Sequence, residues 1–192
     1  FIVPAGYNEN EYLEKLSLDG LGSILKSRGF FKKQTKSRNK VKEYKDRLDR
    51  ELKVIADRGF SKYFLTMKAI SDKTNEVQLA GPGRGSAAGS LVAYALGITQ
   101  VDPIKYSLLF SRFLRADATD YPDIDYDVSD PMALKDLLID EWGSTTVVPI
   151  SNWNTLQLRS LIKDISKFYE IEFNEVNAVT NAMFKEATPL VR

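Results

Sequence analysis

The stretch YPDIDYDVSD sets Asp123, Asp125 and Asp127 at alternate positions, with Ile124, Tyr126 and Val128 between them. In an extended chain this alternation sends the carboxylates to one face and the apolar side chains to the other. Neighbouring carboxylates then lie about 6.6 Å apart, two strand rises. At an effective dielectric near 20, each such pair repels by about 2.5 kcal/mol. The crowding demands compensating positive charge. An oxygen-only donor set of this kind suits Mg²⁺, Mn²⁺ or Ca²⁺.

A second stretch with chemistry in it is GPGRGSAAGS. Gly81, Gly83 and Gly85 permit unusual backbone angles and close approach of a ligand to the main chain. The pattern predicts a helix from about Ser86 to Leu96, with Ser86 as N-cap and Gly97 where helices stop. Such a helix turns its free N–H groups back towards the glycines, and Arg84 adds a fixed charge, which makes a phosphate cradle.

Each stretch has rivals. A Walker A loop fails because no Lys-Ser/Thr pair follows the glycines. Gly83, Gly85 and Ala88 satisfy GxGxxA, and Asp102 stands about 20 residues on, but Pro103 follows it and no obvious strand ends there. A structural turn without ligand stays open. Asp123, Asp125 and Asp127 occupy the first three ligand positions of an EF-hand loop, yet Val128 stands where that loop needs Gly and Leu134 where it needs Glu. A solvated acidic edge strand also stays open.

Taken together, a triphosphate cradle and a carboxylate strand are two of the parts needed for nucleotidyl transfer. Two carboxylate-held metals can activate an attacking hydroxyl and stabilise leaving pyrophosphate, while the cradle aligns the phosphates. Neither part needs His or Cys, and the sequence has none. That absence excludes disulfides, thiolate nucleophiles, Ser-His-Asp triads and HExxH zinc sites.

The elements that must position these groups read as follows. Glu9 to Leu25 is a helix, with Tyr12, Leu13, Leu16 and Leu21 as a rough stripe, broken at Gly29. The polar KKQTKSRNK is a loop. Tyr44, Leu48, Leu52 and Ile55 define a second helix, stopped at Gly59. Tyr63 to Ile70 is ambiguous between strand and helix, SDKTNE is a loop, and VQLA is a short strand leading into the glycines. DPIKYSLLFSRFL is helical from Pro103 onward. After the aspartate strand come helices over Leu134 to Trp142, Leu156 to Phe168, and from Asn174.

The 192 residues suffice for one domain or a little more, and their net charge is +1. Charge is uneven: Lys26 to Arg47 carries ten basic and two acidic residues, while Asp117 to Glu141 carries nine acidic and one basic. The basic run reads either as a solvated loop and helix start or as a phosphate-attracting surface, with Phe30, Phe31 and Tyr44 for stacking. No apolar run is long enough to span a membrane, and no signal peptide is evident, so the expected location is cytoplasmic. The opening FIVPAGYNENEY lacks an initiator Met, and the chain is expected to be a piece of a longer one.

The block GPGRGSAAGSLVAYALGITQVDPIKYSLLFSRFL followed by YPDIDYD strongly resembles the alpha subunit of bacterial DNA polymerase III, the family C replicative polymerases. RLDRELKVIADRGFSKYFLTM matches the same family, and ISNWNTLQLRSLIKDI resembles its next segment more loosely. The resemblance implies an α/β palm of the polymerase β-like nucleotidyltransferase kind with flanking helices and the start of a helical thumb. On that basis residues 1–152 are palm, with a helical lead-in over 1–58, and 153–192 begin the thumb. It also implies that Asp123 and Asp125 hold two Mg²⁺ ions, with Mn²⁺ as an alternative, and are catalytic. Gly85 and Ser86, with Arg84 beside them, match the pair that binds the incoming triphosphate, and Arg112 in SRFL matches a phosphate-facing basic residue.

Lys32, Lys33, Lys36, Arg38 and Lys40 are the candidate DNA contacts. Implied partners are primer-template DNA, deoxynucleotides, the rest of the polymerase and, through regions outside this chain, a sliding clamp; no membrane is implied. The family's third catalytic aspartate lies further downstream, so the piece is expected to be inactive alone. Where the family has ERFLNPER this chain has SRFLRADA; Ala118 replaces an Arg, and Arg115 is a substitute for it three residues earlier. The drift is that of a distant member, and a viral source is consistent with it. The alternatives are a non-catalytic DNA- or nucleotide-binding module and a nucleotidyltransferase acting on a small acceptor.

Overall fold

The computed structural model describes residues 2–30, 35–153, 155 and 157–187. The chain divides into two compact units, Phe1–Val147 and Val148–Arg192. In the first, α1 (Glu9–Ser27), α2 (Thr35–Asp57) and α3 (Ser61–Val77) are joined by short turns. After them come a 3-10 turn at Gly85–Gly89, the short α4 (Leu91–Ala95), a second 3-10 turn at Phe110–Arg112 and α5 (Pro131–Trp142). The second unit is a pair, α6 (Leu158–Phe168) and α7 (Phe173–Ala187), packed on each other with Ser166, Val176 and Thr180 buried.

Local sequence accounts for most of these bounds. Asn8 caps α1 by accepting from the Glu11 amide at 2.9 Å, while the Glu11 carboxylate accepts from the Asn8 amide at 2.9 Å, a reciprocal capping box. Leu13, Ser17, Leu21 and Leu25 recur every four residues and are buried. On α2 the buried stripe is Tyr44, Leu48, Glu51 and Ile55, so a carboxylate occupies a place that helical spacing assigns to an apolar residue. α2 ends where Gly59, at φ 72°, lets the Phe60 amide reach back to the Ile55 carbonyl at 3.0 Å.

α1 packs on α2, α3 and α4, and α2 also touches α4. The core they enclose centres on Leu48, Ile55, Phe64, Leu65, Leu91 and Val92, all fully buried. Gly20 is where α1 crosses α4: a methyl group there would meet the Ala95 carbonyl, with its carbon only 2.9 Å away.

Several expectations are corrected. Among the described residues there is no β-strand, so the unit is helical and the α/β palm is not what it forms. VQLA and the aspartate segment meet only at an isolated antiparallel bridge, Ala80 to Val128, flanked by Ser129 N–H to the Leu79 carbonyl and Gly81 N–H to the Asp127 carbonyl. The extended segment lies instead along α3. Tyr63 donates its hydroxyl to the Pro122 carbonyl at 2.8 Å, and Tyr126 donates to Ser71 Oγ at 3.1 Å. The two anchors match in length: eight helical residues rise about 12 Å, and four extended residues span about 13 Å.

SDKTNE continues α3 rather than forming a loop, because Ser71 and Thr74 turn inward and Lys68 pairs with Asp72. Part of the expected loop KKQTKSRNK is likewise helical, since α2 begins at Thr35. The helix expected from Pro103 is replaced by turns, because the Asp102 carboxylate accepts from the Ile104 and Lys105 amides and folds the chain back on itself.

Asp102 also ties the helices together. Its other oxygen accepts from the Tyr44 hydroxyl at 2.6 Å and from Arg28, and Arg28 donates to the Tyr94 hydroxyl at 2.7 Å. Burial alone would raise the Asp102 carboxyl; Tyr44, the two amides and Arg28 outweigh it and hold it below its ordinary value of 3.8. A lowered carboxylate stabilises the fold above its ordinary value, and that contribution is lost as pH falls through the folded one. Asp102→Asn is therefore expected to lower stability at neutral pH by about 3 kcal/mol, with the gap to wild type closing in urea titrations below pH 3.8. A steric prediction accompanies it. Gly20→Ala should cost about 2 kcal/mol through overpacking, whereas Gly22→Ala, with nothing within 4 Å, should gain up to about 1 kcal/mol.

Candidate functional site

The glycine turn and the aspartate segment come together in the first unit. Gly85 sits at φ 63°, and a side-chain carbon there would run into Asp125 Oδ2, with the Asp125 Cγ 3.1 Å away. The carboxylate is thus packed against bare backbone. At Gly81 a side chain would lie 3.1 Å from the Asp127 Cβ, and Arg84 reaches Asp127 Oδ1 at 3.3 Å. The aspartates divide by partner. Asp127 is paired with Arg84, while Asp123 and Asp125 have no hydrogen bond or ion pair among the described residues.

The expected alternation of faces is visible in the burial pattern: Asp123, Asp125 and Asp127 are exposed, and Ile124, Tyr126 and Val128 are half-buried. Ile124 packs against the core, which turns the carboxylates outward. The backbone amides of Gly85 and Ser86 donate to nothing among the described residues. Two adjoining clefts open here. One, of about 520 Å³, lies between Gly85, Ser86 and Gly89 on one wall and Ser107 to Leu109 with Arg112 on the other. The second, of about 290 Å³, is shared by Ser86, Arg112, Arg115, Asp120, Tyr121 and Asp123. Ser86 and Arg112 therefore border both, and connect the glycine turn to the carboxylates.

Arg115 lies in the same cleft as Ala118, and its guanidinium grips Asp117 at 2.7 and 2.9 Å, which holds that carboxyl below its ordinary value. Among the candidate DNA contacts, Lys32 and Lys33 lie outside the described residues, as does the side chain of Lys36. Arg38 and Lys40 are exposed; Lys40 pairs with Glu43 and borders a separate cleft that shares Ser107 with the glycine-turn cleft. Phe31 is outside the described residues, and Tyr44 is buried beside Phe30, so it offers no stacking face.

The helix expected over Ser86–Leu96 is broken in two. Gly85–Gly89 winds as 3-10, and the α-helix starts at Leu91 with Ser90, not Ser86, as its cap. Its leading amides are already used: Glu51 Oε2 accepts from Leu91 N at 2.7 Å, Val92 N at 3.1 Å and Ser90 Oγ at 3.0 Å. Burial pushes the Glu51 carboxyl up from 4.5, opposed by the two amides and Arg47. No helix end is left to draw a phosphate here. The donors that remain are the Gly85 and Ser86 amides, the Ser86 hydroxyl and Arg112.

Sequence reasoning passed over Glu51 and its partner Arg47. Their signal was a Glu at the buried spacing of α2, four residues after an Arg. It also passed over Tyr121, whose ring lies 4.9 Å from Phe60 and 5.2 Å from Tyr63 at the mouth of the smaller cleft. The dinucleotide reading fails, since Asp102 is 2% exposed and fully engaged.

Unpaired carboxylates beside a bare glycine turn, with arginines at the rim, form a site suited to phosphates and divalent ions. Comparison with known proteins supplies the family. Residues 11–191 match the bacterial DNA polymerase III alpha NTPase domain, and the chain belongs to that family. It is 36% identical over 177 residues to the DNA polymerase III subunit alpha of Neisseria meningitidis serogroup B, covering 90% of this chain and 15% of that protein. The subunit from Aquifex aeolicus is 39% identical over 169 residues, 86% of this chain and 14% of its own length. That from Staphylococcus epidermidis is 43% identical over 143 residues, 71% and 13% respectively. The chain thus spans about one-seventh of the relatives it matches. Among the described residues no helix is long and apolar enough to cross a membrane.

The geometry yields a local prediction. Gly85→Ala forces a left-handed alanine and displaces Asp125, which should cost about 1–2 kcal/mol in urea unfolding. Arg84→Ala removes only an exposed ion pair and should change stability by less than about 1 kcal/mol.

Proposed function

We propose that this chain is the nucleotide- and metal-binding part of a DNA-directed DNA polymerase, joining deoxynucleotides to a primer 3′-hydroxyl. The observation that carries the proposal is the packing of the Asp125 carboxylate against Gly85. It brings metal-type ligands and phosphate-type donors, forty residues apart in sequence, into one place.

The residues fit divalent ions in part. Asp123 and Asp125 offer exposed, hard oxygen donors, which suit Mg²⁺ and also Mn²⁺. Among the described residues no group of three or more ligating side chains gathers. The pair therefore supplies a share of the coordination, and phosphate oxygens, water or a further residue must supply the rest. Bound there, divalent ions would lower the pKa of the attacking hydroxyl and neutralise charge on the leaving group.

The chain's own residues do the positioning. The Gly85 and Ser86 amides and the Ser86 hydroxyl donate to the phosphate tail, while Arg112 balances its charge from the opposite wall. With the tail fixed, the primer oxygen attacks the α-phosphorus in line. A new P–O bond forms, the bond to the bridging oxygen breaks, pyrophosphate leaves, and the hydroxyl proton passes to solvent. Asp123 and Asp125 hold the ions on the side of that attack. Arg115 contributes to the same rim in place of the Arg lost at Ala118. The segment from 153 begins the thumb, and Arg38 and Lys40 with Lys32, Lys33 and Lys36 contact DNA.

The test is Mn²⁺ titration of the chain by calorimetry, with and without a deoxynucleoside triphosphate. Wild type should bind Mn²⁺ more tightly with the nucleotide present, and Asp123→Asn or Asp125→Asn should weaken that binding roughly tenfold or more. Identical isotherms for wild type and both variants would leave a nucleotide- or DNA-binding module without metal chemistry.

A further inference from the structure

Arg47 and Glu51 lie on α2, outside the site just described, yet they hold both of its walls. Arg47 Nε donates to Glu51 Oε1 at 2.6 Å. Its Nη2 donates to the Gly89 carbonyl at 2.9 Å and to the Leu108 carbonyl at 3.2 Å. Gly89 closes the glycine turn, and Leu108 belongs to the facing segment of the cleft. One guanidinium therefore bridges the two walls. Glu51 completes the clamp from the other side, through Ser90 Oγ and the Leu91 and Val92 amides that follow the turn.

We propose that this buried pair is a positioning device that sets the separation of the Gly85–Ser86 wall from the Leu108–Arg112 wall, and with it the fit of a nucleoside triphosphate's phosphate tail. The inference rests on the phosphate-binding reading of the cleft. The walls touch at their base, where a methyl group on Gly89 would lie 2.8 Å from the Leu109 carbonyl oxygen, so a small change at the clamp is felt along the cleft. The pair is neutral as a whole and adds no net charge to the ligand; its effect is geometric. A lysine at position 47 keeps the charge but not the planar fork that reaches Glu51, Gly89 and Leu108 together.

The experiment compares wild type, Arg47→Lys, Glu51→Gln and, as a control for general destabilisation, Leu13→Ala in the α1 core. Two quantities are read: affinity for a deoxynucleoside triphosphate with Mn²⁺, and amide hydrogen exchange along the chain. Arg47→Lys should weaken nucleotide binding roughly tenfold or more and speed exchange at residues 86–92 and 107–109, with α3 unchanged. Leu13→Ala should alter affinity by less than about twofold. Glu51→Gln, which keeps the side chain's shape, should fall between and serves if the lysine variant does not fold. Wild-type affinity in both clamp variants, or loss no greater than in Leu13→Ala, would overturn the positioning role alone. Wild type that binds no triphosphate at all would overturn the functional reading and this role with it.

Discussion

A carboxylate buried where helical spacing calls for a leucine organises this molecule. Glu51 is 1% exposed, and withdrawing it from water costs several kcal/mol unless every lone pair finds a donor. The donors come from Arg47, Ser90, Leu91 and Val92, and they fix how α2 meets the start of α4. That contact in turn ends the 3-10 winding at Gly89 and leaves the Gly85–Ser86 backbone facing outward. Asp102 plays a comparable part on the other side of α2, collecting Arg28, Tyr44 and two amides. Polar groups that look expensive one by one thus decide where the loops of the site stand.

The aspartate segment is held by different means. It has almost no backbone ladder, and its register comes from side chains laid along α3: Tyr63 at Pro122, Tyr126 at Ser71, and Ile124 in the core. With the apolar members anchored, alternation leaves the carboxylates no choice but to face outward, towards Gly85. Asp127 is then satisfied by Arg84, and Asp123 and Asp125 remain as the free donors. The segment's helical support explains how ligands can be presented in alternation without a sheet behind them.

Much of this was legible because it is local. The capped start of α1 at Asn8, the stop at Gly59 and the cap of α5 at Asp130 follow from residue types within a turn of each boundary. The approach of glycine turn and carboxylates followed from charge and chemistry. What could not be read depends on distant partners. Ser86 looked like a cap because nothing in its neighbourhood announces that Glu51, thirty-five residues earlier, would claim the amides after Ser90. Pro103 looked like a helix start because the Asp102 side chain's preference for its own following amides is decided only once Arg28 and Tyr44 arrive. Alternation at 121–128 read as a strand because period two signals an extended chain, and says nothing of whether sheet or helix lies beneath.

The most direct test of the central claim is anomalous scattering from crystals of the chain grown with Mn²⁺ and a non-hydrolysable deoxynucleoside triphosphate. The account predicts a manganese peak between Asp123 and Asp125, with the phosphate tail on the Gly85 and Ser86 amides. A nucleotide bound elsewhere, or manganese seated away from those two carboxylates, would contradict it.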